Sequence, residues 1–355
     1  MEAVGVGTGE GRRRCKKRER ESEKSAETER SGGTRGARYK FAADLRSGGA
    51  FALPLYGDLC IIEKGTGTDG TSENLIVPLR CRVVLTAALG GLYQLMGMII
   101  CVSNQKGGVG KTTTVNALTM GLSGLGLRVL SVDFDPQGNL SFSLNAVCRN
   151  DSAATVYHVI KKECRIADAI QHREACDVLP ANLLLSALDV EFTGAGREYL
   201  LKQALAPVLS QYDVILVDTP PDLGLLTINA FTAADAILIP VLCDIYSLQG
   251  LIQLNDTLRQ VRLRSNPNIQ VAGVLLNRYS EREKVSAVVR ETAASITQSL
   301  DMPLLDTLIH TGVALTRAQI QQENMMITER RSRAVGDYRR LADELIRRGV
   351  VRVNG

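Results

Sequence analysis

The chain has 355 residues, 45% of them hydrophobic, 23% charged and 4% aromatic, with no tryptophan, which permits one large or two ordinary domains around a normal core. So few aromatics argue against a stacking platform for nucleobases, no apolar run has the length of a membrane-spanning helix, and no signal peptide stands out. Eight cysteines without a Cys-x-x-Cys pair argue against a zinc or disulfide framework and fit a reducing, cytoplasmic compartment.

The net charge of +4 is unevenly spread. Residues 1–40 hold twelve Lys and Arg against seven acids, so the remainder carries −1. This opening tail is rich in Arg, Glu, Ser and Gly and reads as disordered; a solvated tail is preferred over a nucleic-acid arm. Residues 41–95 contain short apolar runs at 51–56 and 76–85 without a clear helix-turn-helix pattern.

The next segment is an apolar, β-branched run over 98–103, read as a strand. It leads into Lys106-Gly107-Gly108-Val109-Gly110-Lys111-Thr112-Thr113-Thr114. Leu118, Leu122 and Leu125 then share one face of a helix predicted over 112–125. A glycine loop between strand and helix is the setting in which backbone N–H groups cradle phosphate. The helix N-terminus adds about half a positive charge there. Lys111 is placed for the β- and γ-phosphates and Thr112 for Mg²⁺. The usual glycine five positions before Gly110 is replaced by Gln105, and a second lysine, Lys106, stands at the entrance.

Two buried-type strands end in acids. The run 128–133 leads into Asp133-Phe134-Asp135-Pro136-Gln137-Gly138-Asn139, and 213–218 into Asp218-Thr219-Pro220-Pro221. Carboxylates at strand C-termini of an open α/β sheet point into the ligand crevice. Asp218 suits second-sphere contact with Mg²⁺ through water, and Asp135 suits positioning the attacking water or its metal. Either acid alone could merely cap a turn; with the loop, the pair favours a site. Further strands are expected at 177–179, 236–241, 271–276 and 304–309. The expected fold class is α/β, a mostly parallel twisted sheet with helices on both faces.

The glycine loop, the Asp133–Asn139 segment and Asp218-Thr219-Pro220-Pro221, in this order, resemble the ParA/Soj partition ATPases. These are P-loop NTPases of the deviant Walker A class that also includes MinD. The resemblance runs from about residue 96 to the end. It implies a switch-type ATPase that binds ATP and Mg²⁺ and sandwiches two nucleotides in a homodimer. Gly107, Gly108, Val109, Gly110, Lys111, Thr112 and Thr113 would form the nucleotide loop, with Asn277 at the adenine. Lys111 would act in cis and Lys106 across the dimer. Asp135 would be the hydrolysis-linked acid, Asp133 its neighbour at the metal with Thr112, and Asp218 the Walker B acid. Independently, an ammonium at the loop's outer rim neutralises γ-phosphate charge well only where a partner surface excludes water.

The resemblance also bears on the opening residues. Family chains often start just before the first strand, as Met96-Gly97-Met98 would allow, and Gly90-Gly91 could encode a ribosome-binding site. The expected division is therefore an extension or misplaced start over 1–95 and an ATPase domain over 96–355. A true N-terminal DNA-reading domain is the lesser reading; an intact mass beginning near Ala3 or earlier would refute the late start.

The terminal helix, predicted over 333–348, places Tyr338, Leu341, Ala342, Leu345 and Ile346 on one face. Residues 329–352 carry eight arginines against four acids, and Arg259, Arg262 and Arg264 form a second basic cluster. Arginines on a solvent face are common, but Arg330, Arg331, Arg333 and Arg340 are also candidates for sequence-independent DNA contact. The resemblance adds a ParB-type partner and nucleoid association. The alternative, a MinD-like membrane-associated positioning ATPase, needs a terminal lysine-rich amphipathic helix. The glycine-broken end does not provide one. A small-molecule kinase finds no substrate motif.

Overall fold

The computed structural model describes residues 97–146 and 153–352 in full, and the strands 51–55, 59–63 and 74–78 as backbone. The expected disordered tail over 1–40 and the start at Met96 lie outside these residues. Strands β1 (Phe51–Leu55), β2 (Leu59–Glu63) and β3 (Asn74–Pro78) pair antiparallel as a separate three-stranded sheet in the order β1-β2-β3.

The larger unit is an eight-stranded sheet. Its strands are β4 (Met98–Val102), β5 (Val129–Asp133), β6 (Gln171–His172), β7 (Asp177–Leu179), β8 (Val214–Asp218), β9 (Ala236–Leu242), β10 (Gln270–Tyr279) and β11 (Leu304–His310), in the order β11-β10-β9-β4-β8-β5-β7-β6. All neighbours run parallel except the short edge pair β6–β7. The central strands are fully or nearly fully buried. They read as continuous apolar runs because helices cover both faces.

Side chains alternate between those faces. Ile99 and Cys101 of β4 enter one core and Ile100 and Val102 the other, as a period of two requires. The first core is covered by α3 (Val156–Ile160), α4 (Ile166–Ala169), α5 (Leu188–Glu191), α6 (Leu200–Leu205), α7 (Leu225–Ala233), α8 (Ile245–Arg264) and α9 (Lys284–Ser299). The second is covered by α1 (Lys111–Gly124), α2 (Asn139–Ser143), α10 (Val313–Gln321), α11 (Met325–Thr328) and α12 (Arg333–Arg347). Tyr338, Leu341, Ala342 and Leu345 of α12 are buried as their spacing predicts. Two acids of the same helix also turn inward. Glu344 accepts the backbone amides of Asp306 and Thr307, and Asp337 that of His310. They tie α12 to the edge strand β11.

The register places the site. Val102 of β4 and Asp133 of β5 both lie opposite Asp218 of β8, so three strands end side by side. From β4 the chain crosses to β5 and back through β8; from β8 it continues to β9, β10 and β11 on the other flank of β4. Ligands of open α/β sheets sit beyond strand C-termini at such a reversal.

Gly97 marks how tightly the chain enters β4. A Cβ there would lie 2.3 Å from the Tyr212 carbonyl oxygen and 2.9 Å from that of Leu209, both backbone atoms. Overpacking a core costs about 1–3 kcal/mol, and Gly97→Ala should fall near the upper end in urea denaturation. A loss below about 0.5 kcal/mol would mean that this entry is not rigid.

Candidate functional site

The segment between β4 and α1 is held at three points. Asn104 donates its amide to the Pro240 carbonyl (2.8 Å) and accepts the Lys106 backbone N–H (2.9 Å). Asn277, at the end of β10, donates to the Val109 carbonyl at 2.7 Å. Gly108 and Gly110 have φ of +73° and +93°, and a Cβ on Gly110 would come 2.7 Å from the Asn277 amide nitrogen. Left-handed backbone and close approach together require glycine at Gly110. Gly110 is the N-cap of α1, and no side chain caps this 14-residue helix. Its first-turn N–H groups are available to an anion.

Around that N-terminus the polar groups converge. Lys111 is buried and its ammonium donates to the Lys106 carbonyl at 3.3 Å. Burial lowers its pKa, and the carboxylates of Asp218, Asp135 and Asp222 oppose that shift. Thr112 Oγ1 donates to Asp218 Oδ2 at 2.6 Å, while Asp218 Oδ1 is buried without a hydrogen-bond partner. Burial, then the nearby charge of Asp133, pushes the Asp218 carboxyl well above the usual range. Burial likewise raises Asp133 to about 6, against the donors that it accepts from Ser141 and Asp135. Thr113 Oγ1 donates to Gln319 of α10 at 3.3 Å.

An unsatisfied buried carboxylate oxygen beside a hydroxyl, with a lysine across the cradle, fits a hard divalent cation bound with a polyphosphate. The structure thus gathers Gly107–Thr113, Asp133, Asp135 and Asp218 in one crevice. Asn277 adjoins it: its amide nitrogen donates to the loop's own carbonyl at Val109, and its Oδ1 is buried without a hydrogen-bond partner.

Lys106 is placed differently from Lys111. Its side chain is 39% exposed and its Nζ lies 3.3 Å from both oxygens of Asp244 and 2.8 Å from Ser247 Oγ. Asp244 is the N-cap of α8 and accepts the Ser247 N–H at 2.8 Å. Burial alone would raise the Asp244 carboxyl; the Ser247 hydroxyl and amide and then Lys106 outweigh it and hold it below the ordinary range. Neither Asp244 nor Ser247 was among the sequence candidates. The signal was local: an acid followed three residues later by a serine, at the start of a helical run.

The arginine candidates divide. Arg333 pairs with Glu281 at 2.5 Å and Arg340 with the buried Asp337. Arg330 and Arg331 are exposed, and no carboxylate pairs with them among the described residues. His158 closes a capping box with Thr155, and His310 is held by Asp337, so both have structural tasks.

Residues 97–271 match the family described as an AAA domain. The chain is 38% identical over 257 residues to the sporulation initiation inhibitor protein Soj of Bacillus subtilis (strain 168), covering 72% of this chain and all of Soj. It is 35% identical to the chromosome partitioning protein ParA of Caulobacter vibrioides (strain NA1000), over 70% of this chain and 94% of that protein. Among solved structures, cobyrinic acid a,c-diamide synthase from Mycobacterium smegmatis with bound ADP and magnesium superposes with a TM-score of 0.63 at 33% identity, covering 72% of this chain and 96% of that one. The chain belongs to the ParA/Soj family of P-loop ATPases.

The raised carboxyls generate a pH dependence. A carboxyl whose pKa is raised on folding favours the folded state as pH falls from its folded pKa towards the unfolded value of ~3.9. Ligand-free Asp218→Asn should therefore be more stable than the parent at pH 7, by about 1.4 kcal/mol for each unit of displacement removed. That advantage should shrink on going to pH 5. Urea denaturation at both pH values checks it; an advantage that grows on acidification would contradict the burial argument.

Proposed function

We propose that this ParA/Soj family member is a DNA-partitioning ATPase, switched between states by ATP binding and hydrolysis. In this reading it binds ATP with Mg²⁺, pairs with a second copy through the bound nucleotide, and holds DNA without regard to sequence. Hydrolysis, stimulated by a ParB-type partner, resets it. The observation that carries the reading is the second lysine. Lys111 is enclosed in its own cradle, whereas Lys106 sits at the rim, attached to α8 by an exposed contact that a better anion can replace.

Each residue then has a task. The amides of Gly107–Thr113 and the N-terminus of α1 bind the phosphates, and Lys111 neutralises charge across the β- and γ-positions. Thr112 and Asp218, which bond to each other in the structure, would hold the metal when it is bound, Asp218 through its unpartnered Oδ1. Mg²⁺, when bound, offsets charge on the phosphate oxygens. Asp135 orients the attacking water. Lys106 leaves Asp244 for the γ-phosphate held by the partner copy, where water is excluded and its charge counts for more. Loss of that phosphate removes the bridge and loosens the pair. Asn277 braces Val109 through its amide nitrogen and keeps Oδ1 as an acceptor for a base. Arg330 and Arg331 remain for phosphate contact, because Arg333 and Arg340 are engaged by acids.

Light scattering with ATP tests the dimer. Lys106→Ala should keep nucleotide binding and lose ATP-induced dimers, whereas Lys111→Ala should lose nucleotide binding itself; unchanged dimerisation of Lys106→Ala would reject the trans role. Asp244→Ser keeps a helix cap and removes the competing charge. An exposed pair is worth about 0.2–1 kcal/mol and two are broken in a symmetric dimer, so this variant should dimerise at up to about thirtyfold lower concentration.

Charge reversal at Arg330 and Arg331 should weaken DNA binding, the salt slope falling by ~0.9 for each DNA phosphate that is no longer neutralised. An unchanged slope would move the DNA surface elsewhere. Titrating the co-encoded DNA-binding protein into an ATPase assay checks the partner, and no stimulation counts against it.

A further inference from the structure

We infer that Asp133 is a positioning residue and not a ligand of the metal: with Ser141 it fastens the segment that carries Asp135. The inference rests on the ATPase reading for its consequence in turnover, though not for its geometry.

The two strand-end carboxylates are opposite each other in register, and both are fully buried. Their partners differ. Asp218 gives one oxygen to Thr112 and has the other unsatisfied. Asp133 uses three of its roughly four acceptor sites. Its Oδ2 accepts the backbone N–H and the hydroxyl of Ser141, both at 2.7 Å, and its Oδ1 accepts the Asp135 N–H at 3.2 Å. A carboxylate committed to three donors offers a cation little, whereas Asp218 Oδ1 has a free lone pair beside Thr112.

The bonds made by Asp133 run into the loop that follows it. Ser141 Oγ passes the connection on by accepting the Ala181 N–H at 3.1 Å, which ties the loop to the segment after β7. Within the loop, Gly138 N–H reaches the Asp135 carbonyl and Gln137 N–H reaches Asp135 Oδ1, both at 3.0 Å. Gly138 then turns the chain at φ +67° into α2. The far end of α2 is fixed to the nucleotide-loop helix, where Asn116 of α1 donates to Ser143 Oγ at 2.9 Å. Asp135 is thereby held at both ends. Asp133 and Ser141 set it relative to β5, and Asn116 and Ser143 set it relative to the N-terminus of α1.

Asp133→Asn must turn an NH₂ group towards one of the existing donors. Ser141→Ala removes the hydroxyl and leaves the backbone amide, which makes it the milder variant. Each loses at least one hydrogen bond to a buried charge, so the amides of 135–143 should exchange with solvent about tenfold faster or more, with β4 and β8 unchanged. Turnover should fall at least about tenfold in both, and the double variant should fall little further because the two residues act as one unit. Mn²⁺ binding in the presence of ADP, read by electron paramagnetic resonance, should stay within about twofold of the parent. The same measurement on Asp218→Asn should show clear loss.

Unchanged exchange over 135–143 in both variants overturns the clamp. Metal binding lost in Asp133→Asn as far as in Asp218→Asn overturns the exclusion from the metal. A parent chain that shows the exchange pattern and binds Mn²⁺ with ADP but never hydrolyses ATP would leave the clamp standing and defeat the ATPase reading instead.

Discussion

The site depends on two carboxylates buried side by side. Strand register puts Asp133 and Asp218 opposite each other at the ends of β5 and β8. Burial raises the pKa of both, Asp133 adds to the rise at Asp218, and Asp135 adds to the rise at each. A fold tolerates such an arrangement only if hydrogen bonds or a bound ion compensate it. Asp133 is compensated internally by Ser141 and Asp135. Asp218 is only half compensated, by Thr112. Asp218 is bonded to Thr112 in the first turn of the uncapped α1, where a magnesium-bound polyphosphate would relieve its unpartnered oxygen.

The two lysines extend the same electrostatic logic outward. Lys111 is buried, and the acids around it support a charge that burial disfavours. Lys106 is bound by a carboxylate at the surface, where water competes and the pair is weak. A group that must move between partners needs a weak first partner. Asp244 also caps α8 through Ser247, so the helix keeps its N-terminal satisfaction after the lysine departs. In the proposed exchange the fold would therefore lose only a weak surface pair.

Much of this was legible in the sequence because it follows from local patterns. The glycine loop, the apolar runs of β4, β5 and β8 and the acids that end β5 and β8 could be placed from spacing, and α12 from its apolar face. What the sequence hid was the partnership of each polar side chain. Asp133 and Asp218 look alike in one dimension, both ending a buried strand; only the path of the loop back to Ser141 separates them. Asn277 likewise reads as a strand-end polar residue open to a ligand; in the structure its amide nitrogen braces Val109 while its Oδ1 is buried without a hydrogen-bond partner. In α12 the basic count suggested a charged surface, yet Asp337 and Glu344 turn inward and engage Arg340 and Arg348. Charge totals cannot reveal that sorting, because it depends on which residues face β11.

That sorting narrows how DNA could be held. A phosphate contact requires an arginine free to exchange its solvation for the phosphate oxygen. An arginine already paired with a buried carboxylate removes part of that carboxylate's compensation if it moves. Arg340 is in that position: Asp337 is fully buried, with His310 on one oxygen and Arg340 on the other. Arg333 pairs with an exposed acid and is less constrained. Arg330 and Arg331 have no such tie among the described residues, and they lie in the short turn between α11 and α12, outside the regular helices. The bonds that secure the terminal helix to the sheet thus also select which of its arginines can serve a partner.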